Sequence, residues 1–391
     1  MIGQRLKQVR LARGLSLDEL AAHLGGIVTK QALSKYEVGK SQPSSPVLAR
    51  LAETLGVKMA YLLSEPTISV DFIAYRKKAS MPVKEQEQLK SRIGQQMEDR
   101  IRLQEIFSPD VPFVFPLQEY TVSTLEDAEN AALQLRGKLQ LGRDPIGSMV
   151  TTLETSGVHV LEVDASDKFD GISAIIRKSD GMAVAGAVVT RQGLPGERQR
   201  LSRAHELGHL VLDVAEGVDE EKAAFRFAGA FLSPADAFIQ DVGAKRTNVS
   251  VNELLALKQK YGMSMQALLY RMKVLAIISD TYYTDWCISI NRRGWKRDEP
   301  GQLPPETPLW LRQHVLRAHA EGMVSTMEAE TMLGEKINDE SLALVKRRAF
   351  MKLPLSERRR LMAEQAEQLA AHYEQDSAWR EIEGGEDIVE Y

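Results

Sequence analysis

The chain has 391 residues, 43% of them hydrophobic and 27% charged, with a formal net charge of -4, which is the composition of a globular protein rather than a disordered one. Its length predicts several separate cores, and it holds no apolar run long enough to cross a bilayer, so no membrane partner is expected. Cys287 is its single cysteine, which excludes an internal disulfide, and the start MIGQRLKQVR has no apolar signal region, so a reducing cytoplasm is the expected location.

Taken in order, the runs IGQRLKQVRLARG, SLDELAAHLG, TKQALSKYEVG and SPVLARLAETLGV read as short helices, with Gly14, Gly25, Gly26, Gly39 and Pro43 at the turns between them. Residues 1–64 hold nine Lys/Arg against four Asp/Glu, a balance that suits a polyanion. An all-helical domain is expected over 1–65. Residues 66–119 read as a linker and helical connector, with one charged helical run, VKEQEQLKSRIGQQMEDRIRLQEIF, closing on SPDVPFVFP. An α+β unit is expected over 120–243. It has helices in TLEDAENAALQLRGKLQL and DPIGSMVTTLETSG, then strands in VHVLEVD, ISAIIRK and MAVAGAVVTRQ, which are rich in β-branched residues. A helix from near Ser202 and another near 220–233 complete it.

Two more helical runs, VNELLALKQKYG and SMQALLYRMKVLAII, make a helical extension over 244–300, followed by an irregular stretch with Trp286, Trp295, Pro300, Pro304 and Pro305. Residues 301–391 read as a helical C-terminal region with an acidic tail. Residues 355–391 hold four Lys/Arg against ten Asp/Glu. Its helix carries Met362, Ala366, Leu369 and Tyr373 on one face, as a solvated amphipathic helix does.

The strongest chemical signal is LSRAHELGHLVLD. His205 and His209 stand four apart, on one helix face, where both imidazoles reach one zinc ion (Zn2+). Glu206 of such a HExxH motif is not a ligand but the general base that takes a proton from the attacking water. Two histidines in a helix otherwise made of Ala204, Leu207, Gly208, Leu210, Val211 and Leu212 need polar partners, which a metal supplies. A third ligand is required and should lie downstream. In DEEKAAFRFAGAFLSP the apolar stripe is Ala224, Phe227, Ala228, Phe231 and Leu232, and Glu220 and Glu221 fall on its two edges. Periodicity does not choose between them, and both also suit the positive end of a helix.

A HExxH helix followed by E-x-x-A-x-x-F-A and L-x-P, here Glu221, Ala224, Phe227 and Ala228 and then FLSP at 231–234, resembles the ImmA/IrrE family of zinc metallopeptidases. The likeness runs over roughly residues 120–300. It implies an α+β zinc metallopeptidase fold with a small sheet, a third ligand at Glu221, and a protein substrate that is a repressor-type DNA-binding regulator of stress or mobile-element genes. Two positions depart from the family pattern: Phe225 stands where these proteins usually have Asn, and Ala223 where another acid is common.

The segment SLDELAAHLG, a GG turn and TKQALSKYEVGKSQPS is similar to the helix-turn-helix of the XRE and phage-repressor family, which implies a lambda-repressor-like all-α domain that binds duplex DNA. In that likeness Thr29 caps the recognition helix, Lys30, Gln31, Ser34 and Lys35 face outward to bases and phosphates, and Lys40 and Ser41 form a backbone-contacting loop. Paired half-sites make a homodimer the expected form.

His159 lies alone in a strand, while His314 and His319 are five apart without a carboxylate pattern, so neither is expected to be a site. Cys287 reads as a packed thiol. The chain as a whole is therefore expected to be multidomain, a DNA-binding zinc peptidase that cleaves a repressor or antitoxin. A competing reading makes it a transcription regulator or toxin-antitoxin component whose peptidase-like domain senses a signal without cutting, since its C-terminal end is similar to those of some bacterial antitoxins.

Overall fold

The computed structural model describes residues 2–77, 82–109, 111–337, 351, 354–360 and 362–363. Five helices open the chain: α1 (Ile2–Ala12), α2 (Leu17–His23), α3 (Lys30–Glu37), α4 (Ser45–Leu55) and α5 (Met59–Leu63). Leu6, Val9, Leu20, Leu24, Val28, Leu33, Leu51 and Leu62 form their common core. Helix α2 starts at a capping box in which Ser16 and Glu19 each bond the other's backbone N–H, satisfying two donors that a helix start leaves unpaired. Helix α1 crosses α3 closely, because a Cβ at Gly3 would overlap the carbonyl oxygens of Tyr36 and Glu37. Arg10 fixes that crossing with two bonds to Glu37, at 2.6 and 2.9 Å.

An α+β region follows. A four-stranded sheet of β1 (Ile68–Lys77), β3 (Val158–Val163), β4 (Phe169–Lys178) and β5 (Ala183–Arg191) has the order β1-β4-β5-β3. Only the β3–β5 pair is parallel. One face packs on α6 (Val83–Phe107), where Leu89, Ile93, Met97 and Ile101 meet Phe169, Ile172, Ala174, Ile176 and Val189. The other face meets α9 (Gly196–Val211), with Val158, Val160, Ile175 and Val188 in the same core as Ala204, Leu207 and Leu210. The alternation of inward and outward residues along β4 thus serves two cores at once.

Around α9 lie α7 (Leu125–Lys138), α8 (Met149–Thr155), α10 (Glu220–Leu232), α11 (Ala235–Val242), α12 (Val251–Tyr261), α13 (Met265–Val274) and α14 (Asp280–Arg292), with a parallel pair of short strands, β2 (Tyr120–Val122) and β6 (Leu212–Val214). Helix α15 (Trp310–Ala320) follows. The described residues from Val315 onward belong to a second unit, which holds the end of α15 and α16 (Thr326–Leu333), with Ala318, Val324 and Ala329 buried. Residues 355–360 and 362–363 are helical. The expected apolar positions Ala366, Leu369 and Tyr373 and the acidic tail lie outside the described residues, and among the described residues no helix is long and apolar enough to cross a membrane.

Three sequence expectations change. Residues 66–119 do not act as a plain linker: β1 is an edge strand whose Ile68, Val70 and Phe72 pack on the core of α6, and α6 itself covers a whole sheet face. Helix α9 begins at Gly196 rather than near Ser202, since its start is held by the Gly196 N–H bonding to the Leu303 oxygen at 3.0 Å. Trp286 lies in helix α14 rather than in an irregular stretch; its aromatic and β-branched run has weak helix propensity, offset by the Ser279 cap on Tyr282 N and by packing beside α13.

Helix α6 also carries the N-terminal helices. Arg5, 3% exposed at its side chain, pairs with Glu98 at 2.5 Å and bonds Tyr61 Oη at 3.2 Å and the Glu65 oxygen at 2.9 Å. Burial and the neighbouring Glu98 push the Tyr61 phenol up, so it remains a donor to Glu98. Removing one member of a buried pair strands the other charge. Arg5→Met should therefore destabilise the N-terminal helices by about 3 kcal/mol in urea unfolding followed by circular dichroism, and a shift under about 1 kcal/mol would show that the pair does not hold them.

Candidate metal centre

The site is built where α9 and α10 touch. Gly208 sits in the middle of the HELGH run, and a Cβ there would lie 3.2 Å from the Ala224 Cα and from the Phe227 ring. The missing side chain lets α10 approach α9 at backbone distance, while Ala224, Phe227 and Phe231 fill the space beneath. Asp219 caps α10 by accepting from the Lys222 N–H at 3.0 Å, so Glu220 and Glu221 occupy its first turn, where the helix dipole favours acids.

His205 and His209 are buried, 1% and 3% exposed. Their Nε2 atoms lie 2.9 Å apart. The Glu221 carboxylate reaches both, with one oxygen 3.6 Å from His205 Nε2 and the other 3.5 Å from His209 Nε2. One ligand atom from each of these three residues falls within 4.8 Å of the others. Glu220 lies on the far side of His209, 3.1 Å from Nδ1. The alternative that helical periodicity left open is thus divided in space: both acids meet His209, through different nitrogens. Phe225, at one of the two departures from the family pattern, lays its ring against His205 with centroids 4.3 Å apart, and Ala223 is buried in the core.

Glu206, 2% exposed, points to the sheet. The Ser173 Oγ on β4 lies 2.6 Å from Glu206 Oε2 and 2.8 Å from its backbone oxygen. Two residues earlier on the same strand, Gly171 leaves the volume that the carboxylate fills, since a Cβ there would overlap it. Sequence reasoning passed over both. A glycine isolated in a strand does signal close approach of another group, whereas nothing in the sequence marked Ser173.

Residues before the histidines are held by charge. Arg203 pairs with Glu162 at 2.7 Å, Arg200 with Glu306 at 2.5 Å, and fully buried Lys258 with Glu197 and Glu299, both at 2.8 Å. His159 is buried in β3 against Trp310, and burial first and Arg100 second hold its imidazole well below the usual range. It takes no part in the cluster. His314 stacks on Trp310, and His319 Nδ1 lies near the Val324 oxygen.

In the N-terminal domain α2, the turn at 24–28 and α3 form a helix-turn-helix. Thr29 is the N-cap of α3 and accepts from the Ala32 N–H at 3.2 Å. Gln31, Lys35 and Lys40 are exposed and Ser34 is partly so. Lys30 is exposed too, and its ammonium is 2.6 Å from Asp18. Leu33 is buried and Tyr36 half-buried beneath them, as the helical spacing predicts.

Comparison with known proteins divides the chain in the same way. Residues 6–62 match the helix-turn-helix family, and residues 157–273 match the family described as the IrrE N-terminal-like domain. A curated relative, the SPbeta prophage-derived uncharacterized HTH-type transcriptional regulator YonR of Bacillus subtilis (strain 168), is 41% identical over 63 residues, which is 16% of this chain and 56% of that protein. The chain spans little more than half the length of that relative. Residues 157–273, which carry His205, Glu206, His209 and Glu221, are therefore similar to the IrrE N-terminal-like family, and one chain joins them to a helix-turn-helix domain at 6–62.

Proposed function

We propose that this chain is a zinc-dependent peptidase that cleaves a DNA-binding regulatory protein, and that its N-terminal domain binds duplex DNA. The observation that carries the reading is the gathering of two buried imidazole Nε2 atoms and the Glu221 carboxylate within 4.8 Å of one another. A donor set of two nitrogens and one oxygen, on two helices pressed together at Gly208, suits zinc with a coordination position left open. His205, His209 and Glu221 would hold it, and when bound it supplies a Lewis acid that polarises a peptide carbonyl and acidifies water. Glu206 takes the proton of the attacking water and passes it to the leaving amine. Ser173 and Gly171 fix its carboxylate against β4, so the base is positioned before substrate arrives. The name of the relative, a transcriptional regulator, and the exposed polar face of α3 support the second half of the reading.

Metal analysis of the purified protein should find about one zinc per chain. His205→Ala and His209→Ala should each remove most of it, and Glu221→Ala should cost more affinity than Glu220→Ala. A wild-type protein that stays metal-free in excess zinc sinks the site, and the reverse order of the two glutamates moves the third ligand by one residue.

Glu206→Gln should keep its zinc yet lose at least about 100-fold in cleavage rate, measured on repressor-type proteins from the same source. Wild-type protein that carries zinc and cuts none of them would favour a domain that senses without proteolysis.

Binding of the full-length chain to duplex DNA should weaken steeply with salt, because Lys and Arg contacts to phosphate release counterions. Gln31→Ala should alter sequence preference, and Lys40→Ala should weaken all sites alike. Binding indifferent to salt would assign the α3 face to protein contacts instead.

A further inference from the structure

We propose that Glu220 is a positioning residue for the metal centre: its carboxylate holds the Nδ1–H of His209 and so directs Nε2 of that ring at the metal. The inference rests on the zinc reading given above. His209 presents its two nitrogens to two different acids, Nε2 to Glu221 at 3.5 Å and Nδ1 to Glu220 at 3.1 Å. A neutral imidazole carries one N–H. A carboxylate at Nδ1 accepts that proton's hydrogen bond, which leaves the lone pair on Nε2 and locks the rotation of the ring. The same contact makes Nε2 a stronger donor to a cation.

The geometry suits this division of labour. The His209 side chain is 1% exposed, so bulk water does not supply the Nδ1 acceptor, while Glu220, 57% exposed, brings its charge without being desolvated. Adjacent residues in the first turn of α10 point about 100° apart, which places one acid on each side of the same imidazole. A competing explanation is that Glu220 merely serves the positive end of α10, and it predicts a change in fold stability rather than in metal affinity.

Zinc affinity of the full-length protein, measured by chelator competition, separates the two when wild type is compared with Glu220→Ala and Glu220→Gln. Thermal midpoints of the metal-free proteins are measured alongside. Glu220→Ala should weaken zinc binding about 10- to 100-fold with an unchanged metal-free midpoint. Glu220→Gln keeps an acceptor for Nδ1–H and should recover most of the loss. The positioning role is wrong, with the zinc reading intact, if wild type binds one zinc and Glu220→Ala binds within about threefold of it. It is equally wrong if the loss tracks a lowered metal-free midpoint. A wild-type chain that binds no zinc overturns both readings.

Discussion

The site depends on the close contact of two helices at one glycine. Gly208 allows Ala224 and Phe227 to come within 3.2 Å of where a side chain would begin, and that approach sets the distance from Glu221 to both histidines. A larger residue at 208 would push α10 outward, and a displacement of an ångström at the helix start would exceed what the three proposed ligands tolerate around one small cation. The apolar stripe of α10 is thus more than core: it registers an acidic helix end against a histidine face.

The second organising element is α6. Its inner face closes the sheet core through Leu89, Ile93, Met97 and Ile101, while Glu98 receives Arg5 from the helix-turn-helix domain. The strand β1 before it joins the sheet by pairing Ile68–Phe72 with β4. The segment between the two matched regions is therefore part of the α+β fold and at the same time the seat of the N-terminal domain.

Much of this was legible in the sequence because local chemistry decided it. Histidines four apart must share a helix face, and Thr29, Ser16 and the glycines of the first 64 residues mark helix ends without help from tertiary contacts. The alternation of Ile68, Val70 and Phe72 with Ser69 and Asp71 has the period of a half-buried strand, but its partner β4 lies a hundred residues away and the charged run of α6 beside it suggested a connector. Position 171 and Ser173 escaped for the same reason: their role is set by the Glu206 side chain, far along the sequence, which only the folded sheet brings near. The choice between Glu220 and Glu221 could not come from angular position along α10 alone, because it depends on where the two nitrogens of His209 lie.

The acids Glu299 and Glu306 stand beyond the matched family region, which ends at residue 273, yet they neutralise cations inside it. Lys258 is completely buried between Glu197 and Glu299, and Arg200 and Arg203, five and two residues before His205, share Glu306. A fragment cut at residue 273 would leave Lys258 and Arg203 with one acid each, Glu197 and Glu162, and would strip Arg200 of Glu306, at a cost on the order of 3–5 kcal/mol for that broken pair, comparable to the lower end of an ordinary domain's net stability. The boundary visible by similarity therefore cuts through an ion-pair network on which the residues before the histidines rest, and that network reaches to residue 306.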